Sequence, residues 1–227
     1  MARQGGREGQ VEFLHEDRDI VVVTKPAGLP VIAPEGGRGR NLLDLVTERL
    51  RRRNPKARAA VVHRLDRDSS GVLVFATNAR AKRILMDEWA ERAVSRRYAV
   101  LVEGSMTAES GDLDSWLAPA GPNRMRIASA GEHGALRARG SWELVREGRG
   151  FALLEVILET GRKHQIRAQL AAIGHPVAGD PLYGARTDPA GRLMLHAATL
   201  EIIHPITDET LRFESAPPDC FFSSLGA

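Results

Sequence analysis

Apolar residues fall mostly in short runs broken by turns, and helical periodicity appears in three places. Val11-Glu12-Phe13-Leu14 and Ile20-Val21-Val22-Val23-Thr24 predict two strands around an acidic turn, Glu16-Asp17-Arg18-Asp19. Lys25-Pro26-Ala27-Gly28-Leu29-Pro30 breaks the second strand. Asn41 is placed to cap a helix whose apolar positions Leu42, Leu43, Val46 and Leu50 follow the 3.6-residue period. The Arg51-Arg52-Arg53 run suits the negative end of that helix, and Pro55 stops it. Val72 to Thr77 predicts a strand, after which Asn78 caps a second helix running through Ile84, Leu85 and Trp89. Tyr98 to Val102 is the next strand. From Asp112 to Leu158 the pattern is mostly β, with turns at Gly121-Pro122-Asn123 and Ala130-Gly131-Glu132-His133-Gly134. A third helix holds His164, Ile166, Leu170 and Ile173 and stops at Gly174. Strands at Leu193 to Ile203 and Leu211 to Glu214 follow, joined around Thr207-Asp208-Glu209. Most consecutive strands have no helix between them, so the expected fold is mixed α/β of the α+β type with a mainly antiparallel sheet.

Composition narrows the class. The 227 residues, 43% apolar and 27% charged, suit a globular domain with a substantial core. Residues 1–10, rich in Gly, Arg and Gln, are expected to form a flexible tail, and 11–227 a single domain without internal repeats. One cysteine, Cys220, rules out an internal disulfide and a thiolate zinc site, which points to a reducing, cytoplasmic compartment. No run of 18 apolar residues exists, so no membrane span is expected. G-x-G-x-x-G after a strand, a phosphate loop and H-E-x-x-H are all missing, so the sequence offers no dinucleotide, phosphate-loop or zincin motif.

Charge changes the picture more. Between Arg49 and Arg67 stand seven arginines and one lysine against a single acid, Asp66, a local +7 in a chain of net +3. Such a segment is either a solvated helix end or a surface that tracks phosphates. It leads into His63-Arg64-Leu65-Asp66-Arg67-Asp68-Ser69-Ser70-Gly71, where Asp66 lies between Arg64 and Arg67 just before an apolar strand. Neighbouring positive charge favours the ionised carboxylate, a nucleophile or base rather than an acid. Gly161-Arg162-Lys163-His164-Gln165-Ile166-Arg167 supplies a second basic cluster. Each of these residues also has an ordinary structural use. An Asp in a strand-end turn commonly binds local backbone, a strand tyrosine is commonly a half-buried core aromatic, and a helical arginine commonly snorkels. His164 could ligate a metal with His175, but no Cys or E-x-x-H partner supports it. His63-Arg64-Leu65-Asp66 lacks the Gly-rich loop, strand lysine and D-F-G that a kinase loop requires.

These motifs together resemble the RluA family of RNA pseudouridine synthases. His63-Arg64-Leu65-Asp66 with Ser69-Ser70-Gly71 is similar to the family's catalytic signature, and Lys25-Pro26-Ala27-Gly28 with Pro30 to its first motif. Arg97-Tyr98-Ala99-Val100-Leu101-Val102-Glu103-Gly104 resembles its tyrosine strand. Residues 161–167 with 174–184 resemble its third motif, and Leu195-His196-Ala197 its late strand. The resemblance runs from about Val11 to Phe213. It implies a bisected, mainly antiparallel sheet with flanking helices and a central active-site cleft. It also implies an isomerase that breaks the C1′–N1 bond of a uridine in ribosomal or transfer RNA and rejoins the ribose at C5, without a cofactor. Asp66 would be the catalytic carboxylate, acting at C1′ or C2′. Tyr98 would stack on the flipped base and help remove the C5 proton, and Arg167 would orient and ionise Asp66. Arg64 would fill the vacated place in the RNA stack. Base flipping is required because a stacked uridine hides its glycosidic carbon, and a planar guanidinium can occupy such a gap.

RNA contacts are expected from Arg64, Arg67, Arg51, Arg52, Arg53, Lys56, Arg58, Arg162, Lys163 and His164. Ser69, Lys163 and Gln169 depart from the family pattern, where Thr, Thr and His are usual; the last two bear on site selection. The N-terminal RNA-binding module of many relatives is expected to be missing, and a monomer is expected. The alternative is a catalytically idle RNA-binding or assembly factor with the same fold.

Overall fold

The structure is a computed structural model and describes residues 10–33 and 39–226. All but the last residue of the expected tail at 1–10 lies outside them. The chain opens with β1 (Glu12–Glu16), β2 (Ile20–Lys25), α1 (Leu42–Arg51), β3 (Ala60–Val61), β4 (Ser70–Ala76), α2 (Ala79–Asp87) and α3 (Trp89–Arg92). Next come β5 (Ser95–Glu103), β6 (Ser110–Pro119), β7 (Met125–Ala128), β8 (Leu136–Gly148), β9 (Phe151–Leu158) and α4 (Gln165–Ala172). A 3₁₀ turn at Pro181–Tyr183, β10 (Leu195–Ile203), β11 (Thr210–Glu214) and α5 (Cys220–Ser223) complete it. The mixed α+β class with a mainly antiparallel sheet is as expected. The chain divides into two compact units. One takes the described residues up to Val94 with Ala197–Ala216, the other Ser95–His196 with 217–226.

In the first unit the strand order is β1-β2-β4-β10, with β3 beside β4 and β11 antiparallel to β10. β2 and β4 pair antiparallel with Val22 opposite Val74. Ile20–Val23 of β2 and Val72–Ala76 of β4 read as continuous apolar runs because both of their faces are covered. Ile20, Val22, Val72, Val74 and Ala76 pack with Ala81 and Leu85 of α2 and with Leu200 and Ile202 of β10. The two caps are formed as predicted. Asn41 Oδ1 accepts from Asp44 N at 3.0 Å, and Asn78 Oδ1 accepts from Ala81 N at 2.9 Å. The second predicted helix is interrupted: Glu88 leaves helical geometry (φ −112°, ψ 23°), and Trp89 begins α3. Gly71 adopts φ +117°, and a Cβ there would sit 2.2 Å from the Ala197 carbonyl oxygen, so only glycine lets β4 and β10 approach this closely.

The second unit is an antiparallel sheet in the order β5-β9-β8-β6-β7. Its core gathers Val100 and Val102 of β5, Leu154 and Val156 of β9, Leu170 of α4, and Val177, Met194 and Phe221. α4 ends in a Schellman motif: Gly174 at φ +90° donates to Ala171 O at 3.1 Å, and His175 N donates to Leu170 O at 3.0 Å. Its start differs from the predicted one. His164 precedes the helix in a left-handed conformation (φ 52°, ψ 24°), so it does not share a helical face with Arg167. Ile173, expected within the helix, is its exposed C-cap.

Candidate active site

Asp66 lies half-buried in the loop that leads into β4. The loop is held by a residue that the sequence pattern places only within a motif. Lys25, at the end of β2, is fully buried, and its Nζ donates to the carbonyls of Pro26 (3.0 Å), Leu29 (2.9 Å), Arg67 (2.8 Å) and Ser69 (2.5 Å). An ammonium has three protons for these four acceptors, so it ties both loops at one point. Ser69 Oγ donates to Asp66 O at 2.9 Å, a role its hydroxyl performs as Thr would. His63 Nε2 accepts from Val74 N at 3.1 Å, and its ring stacks on Trp89 with centroids 4.5 Å apart. Arg64 is exposed. Arg67 gives its fork to Asp68 (Nε–Oδ1 2.9 Å, Nη2–Oδ2 3.1 Å), which raises the guanidinium's pKa. The charge expected of Arg67 beside Asp66 is therefore committed to its other neighbour.

The basic segment of the same unit is partly structural. Arg53 Nη1 donates to Glu16 Oε1 at 3.0 Å, Arg49 Nε to Glu16 Oε2 at 3.2 Å, and the Arg49 guanidinium covers the Phe13 ring at 4.5 Å. Arg51 Nε donates to Ala57 O at 3.3 Å. Arg52, Lys56 and Arg58 are exposed. A shallow groove beside α1 is lined by Arg51 and Arg58 but also by Asp44 and Glu48, whose carboxylates make it a poor phosphate channel.

In the second unit Tyr98 stands half-buried on β5 opposite Val156 of β9. Two residues before it, on the same strand face, buried Arg96 donates to Leu158 O (3.3 Å) and Glu159 O (2.6 Å), and desolvation lowers its pKa. Arg167 is buried on α4. It grips Asp180 through two hydrogen bonds, Nε–Oδ2 at 2.6 Å and Nη2–Oδ1 at 2.8 Å, and lies 5.1 Å from the centroid of the Tyr183 ring. Arg162 and Lys163 are exposed. Lys163 Nζ donates to Pro122 O at 2.9 Å and Arg162 Nε to Arg137 O at 3.1 Å. Gln169 is buried, and its Nε2 donates to Leu113 O, Ser115 Oγ and Ala138 O, so it anchors α4 to β6 and β8. Sequence reasoning assigns no individual role to Lys25, Asp180 or Tyr183. The available signal is a lysine and an aspartate inside otherwise apolar, turn-forming motifs.

Of the two histidines weighed as a metal pair, His164 Nδ1 lies 3.1 Å from Tyr183 Oη, and His175 Nδ1 lies 3.0 Å from Glu103 O. Among the described residues Asp17, Asp19 and His204 are close enough to share an ion. His204 Nδ1 accepts from Ile206 N and Thr207 N (3.3 and 3.1 Å), which leaves the ring proton on Nε2, 3.2 Å from Asp17 Oδ2. Nε2 makes no hydrogen bond. A protonated Nε2 has no lone pair for a cation. Among the described residues no helix is long and apolar enough to cross a membrane.

Comparison with known proteins agrees with these motifs. The family described as RNA pseudouridylate synthase matches residues 19–172. An uncharacterized RNA pseudouridine synthase of Bacillus subtilis is 34% identical over 215 residues, 92% of this chain and 70% of its own length. A ribosomal large subunit pseudouridine synthase D of Zymomonas mobilis is 34% identical over 222 residues, 92% of this chain and 69% of its own. The solved structure of human RNA pseudouridylate synthase domain containing 1 superposes with a TM-score of 0.71 at 26% identity, over 91% of this chain and 83% of that one. The chain belongs to the RluA-type RNA pseudouridine synthases, isomerases that act on RNA.

Proposed function

We propose that this chain converts a uridine of large-subunit ribosomal RNA to pseudouridine, with Asp66, Tyr98 and Arg167 as the catalytic groups. One observation carries the assignment of residues: the family match over residues 19–172 takes in all three. The choice of RNA is supported by relatives named as ribosomal large subunit enzymes. Asp66, as the carboxylate, acts on the ribose at C1′ or C2′. The C1′–N1 bond breaks, the uracil turns, and C1′ joins C5. The C5 proton is lost and N1 ends protonated, so product and substrate have the same atoms and no redox partner is consumed. Tyr98 presents its ring to the flipped base and assists the C5 proton, and Arg167 orients the Asp66 carboxylate. Arg64, exposed beside Asp66, enters the stack that the uridine leaves. The enzyme works as a monomer in the cytoplasm.

Mapping pseudouridines in total RNA with and without the gene identifies the target. Asp66→Asn is expected to abolish that modification while RNA affinity stays within a few-fold. Undiminished product from Asp66→Asn defeats the assignment. Full modification of every large-subunit site in cells lacking the gene defeats the choice of RNA. A binding-only protein predicts no lost modification in either experiment.

A further inference from the structure

Asp180 and Tyr183 take no part in the reaction as written above, yet the chain spends a buried charge on one and its second tyrosine on the other. Asp180 is 1% exposed and meets Arg167 side-on, through Nε and Nη2. A planar fork held along that edge cannot rotate in its plane, so the direction of the Nη1 corner is set. The Tyr183 ring, 5.1 Å from the Arg167 carbon Cζ, restrains the tilt of the plane. Replacing a buried ion pair by apolar side chains commonly costs nothing in stability, so the pair is better explained by what it orients.

Tyr183 reaches further. Its hydroxyl accepts from Met125 N at 2.8 Å, at the start of β7, and lies 3.1 Å from His164 Nδ1. His164 is one of three non-glycine residues with positive φ among the described residues, a strained conformation that needs support from its surroundings. The guanidinium of Arg124, on the turn before β7, also approaches the Tyr183 ring, at 5.6 Å. Lys163 holds the same turn through Pro122 O. One aromatic ring thus joins the β6–β7 hairpin, which has β7 at the sheet edge, exposed Arg124 on its turn and Arg126 paired with Glu132, to the buried Arg167.

We infer that Asp180 and Tyr183 are positioning residues for Arg167, and that the Tyr183 hydroxyl fixes the β6–β7 hairpin as an RNA-contacting arm in register with that guanidinium. This rests on the proposed role of Arg167 in orienting Asp66. The two functions of Tyr183 are separable: its ring acts on turnover and its hydroxyl on substrate capture.

Steady-state kinetics on the target RNA, with binding measured separately, tests it. Asp180→Asn keeps the shape but loses the anionic partner, and is expected to lower kcat by about 100-fold with RNA Kd within twofold, the scale on which misplacing a catalytic group acts. Tyr183→Phe keeps the ring and is expected to raise KM and Kd several-fold with kcat within twofold. Tyr183→Leu is expected to lower kcat about tenfold as well. A merely structural role would lower the melting temperature and leave kcat per folded molecule unchanged, which overturns the inference. If Asp180→Asn does not fold, Tyr183→Leu decides by the same criterion. An inactive Asp66→Asn beside fully active Asp180→Asn and Tyr183→Leu refutes the positioning role alone. An active Asp66→Asn refutes the catalytic reading instead.

Discussion

Lys25→Met is the most informative single substitution for the Asp66 loop, because it keeps an unbranched apolar stem that reaches to the ε position and removes the ammonium beyond it. Three charge-assisted N–H bonds to carbonyls contribute about 1.5–3 kcal/mol each, roughly 4.5–9 kcal/mol in sum. Against them stands the several kcal/mol that it costs to take an ammonium out of water. The net loss is then about 2–4 kcal/mol. It falls on the carbonyls of Pro26, Leu29, Arg67 and Ser69, which lose a common partner in a fully buried place. Urea unfolding followed by circular dichroism should show a lower midpoint with an unchanged slope, since no additional surface is exposed on unfolding. Melting should fall by roughly 5–15 °C for a chain of this size. The second consequence is functional. Two of the four carbonyls belong to Arg67 and Ser69, one and three residues beyond Asp66, so the loop slackens where the carboxylate must be aimed. Turnover should drop at least tenfold at a temperature where the variant is folded, with RNA affinity retained. A loss below 1 kcal/mol together with wild-type turnover would show that the four carbonyls are satisfied without the ammonium and that the loop holds itself.

Charge reversal at Arg52, Lys56 and Arg58 should weaken RNA binding and reduce the slope of log K against log salt by about 0.7–0.9 for each phosphate that is no longer neutralised. Reversal at Arg53 should have less effect on the slope, because its guanidinium is already on Glu16; equal effects would move the RNA path elsewhere. Asp17 supplies a pH test of the first unit. Burial works to raise its carboxyl pKa, but the bonds from His15 and from the backbone of Ile20 and Asp19 outweigh it and hold the group below its ordinary value. A carboxyl depressed in the folded state stabilises above the unfolded value, near pH 4, and that contribution is lost as pH falls through the lower folded value. Asp17→Asn should therefore be less stable than wild type at neutral pH and should lose less on acidification. Unfolding midpoints with the same pH dependence in both proteins would contradict this.

Both long-helix starts with an Asn cap were legible because a cap is a local device: the side chain, the backbone it binds and the apolar period lie within a few residues. The apolar runs Ile20–Val23 of β2 and Val72–Ala76 of β4 were legible for a related reason, since burial on both faces leaves no polar position within them. The break between α2 and α3 and the left-handed His164 were not legible. Glu88 is a good helix former, and nothing near His164 in sequence shows that its ring will meet Tyr183, 19 residues later. β3 and α5, at two and four residues, are too short to carry a period at all.

The candidate site shows the same limit in its side chains. The motif residues could be read from order and spacing, but the partner that each cation takes is decided by whichever acceptor folding brings nearest. Arg67 takes adjacent Asp68 and Arg53, past the end of α1, takes Glu16 of β1; the neutral Gln169, read as a departure bearing on site choice, likewise turns into the sheet to bind Leu113 and Ala138. In each case a strong donor near an acceptor is bound locally and its capacity to read RNA is reduced. Under the proposed function, the exposed cations Arg52, Lys56, Arg58 and Arg64 would meet phosphate or a vacated stack. The buried ones serve geometry: Lys25 secures the carboxylate's loop, and Arg167 is itself held by Asp180 and Tyr183. Affinity and turnover should therefore respond to different arginines and lysines, with exposure rather than position in the sequence separating the two sets.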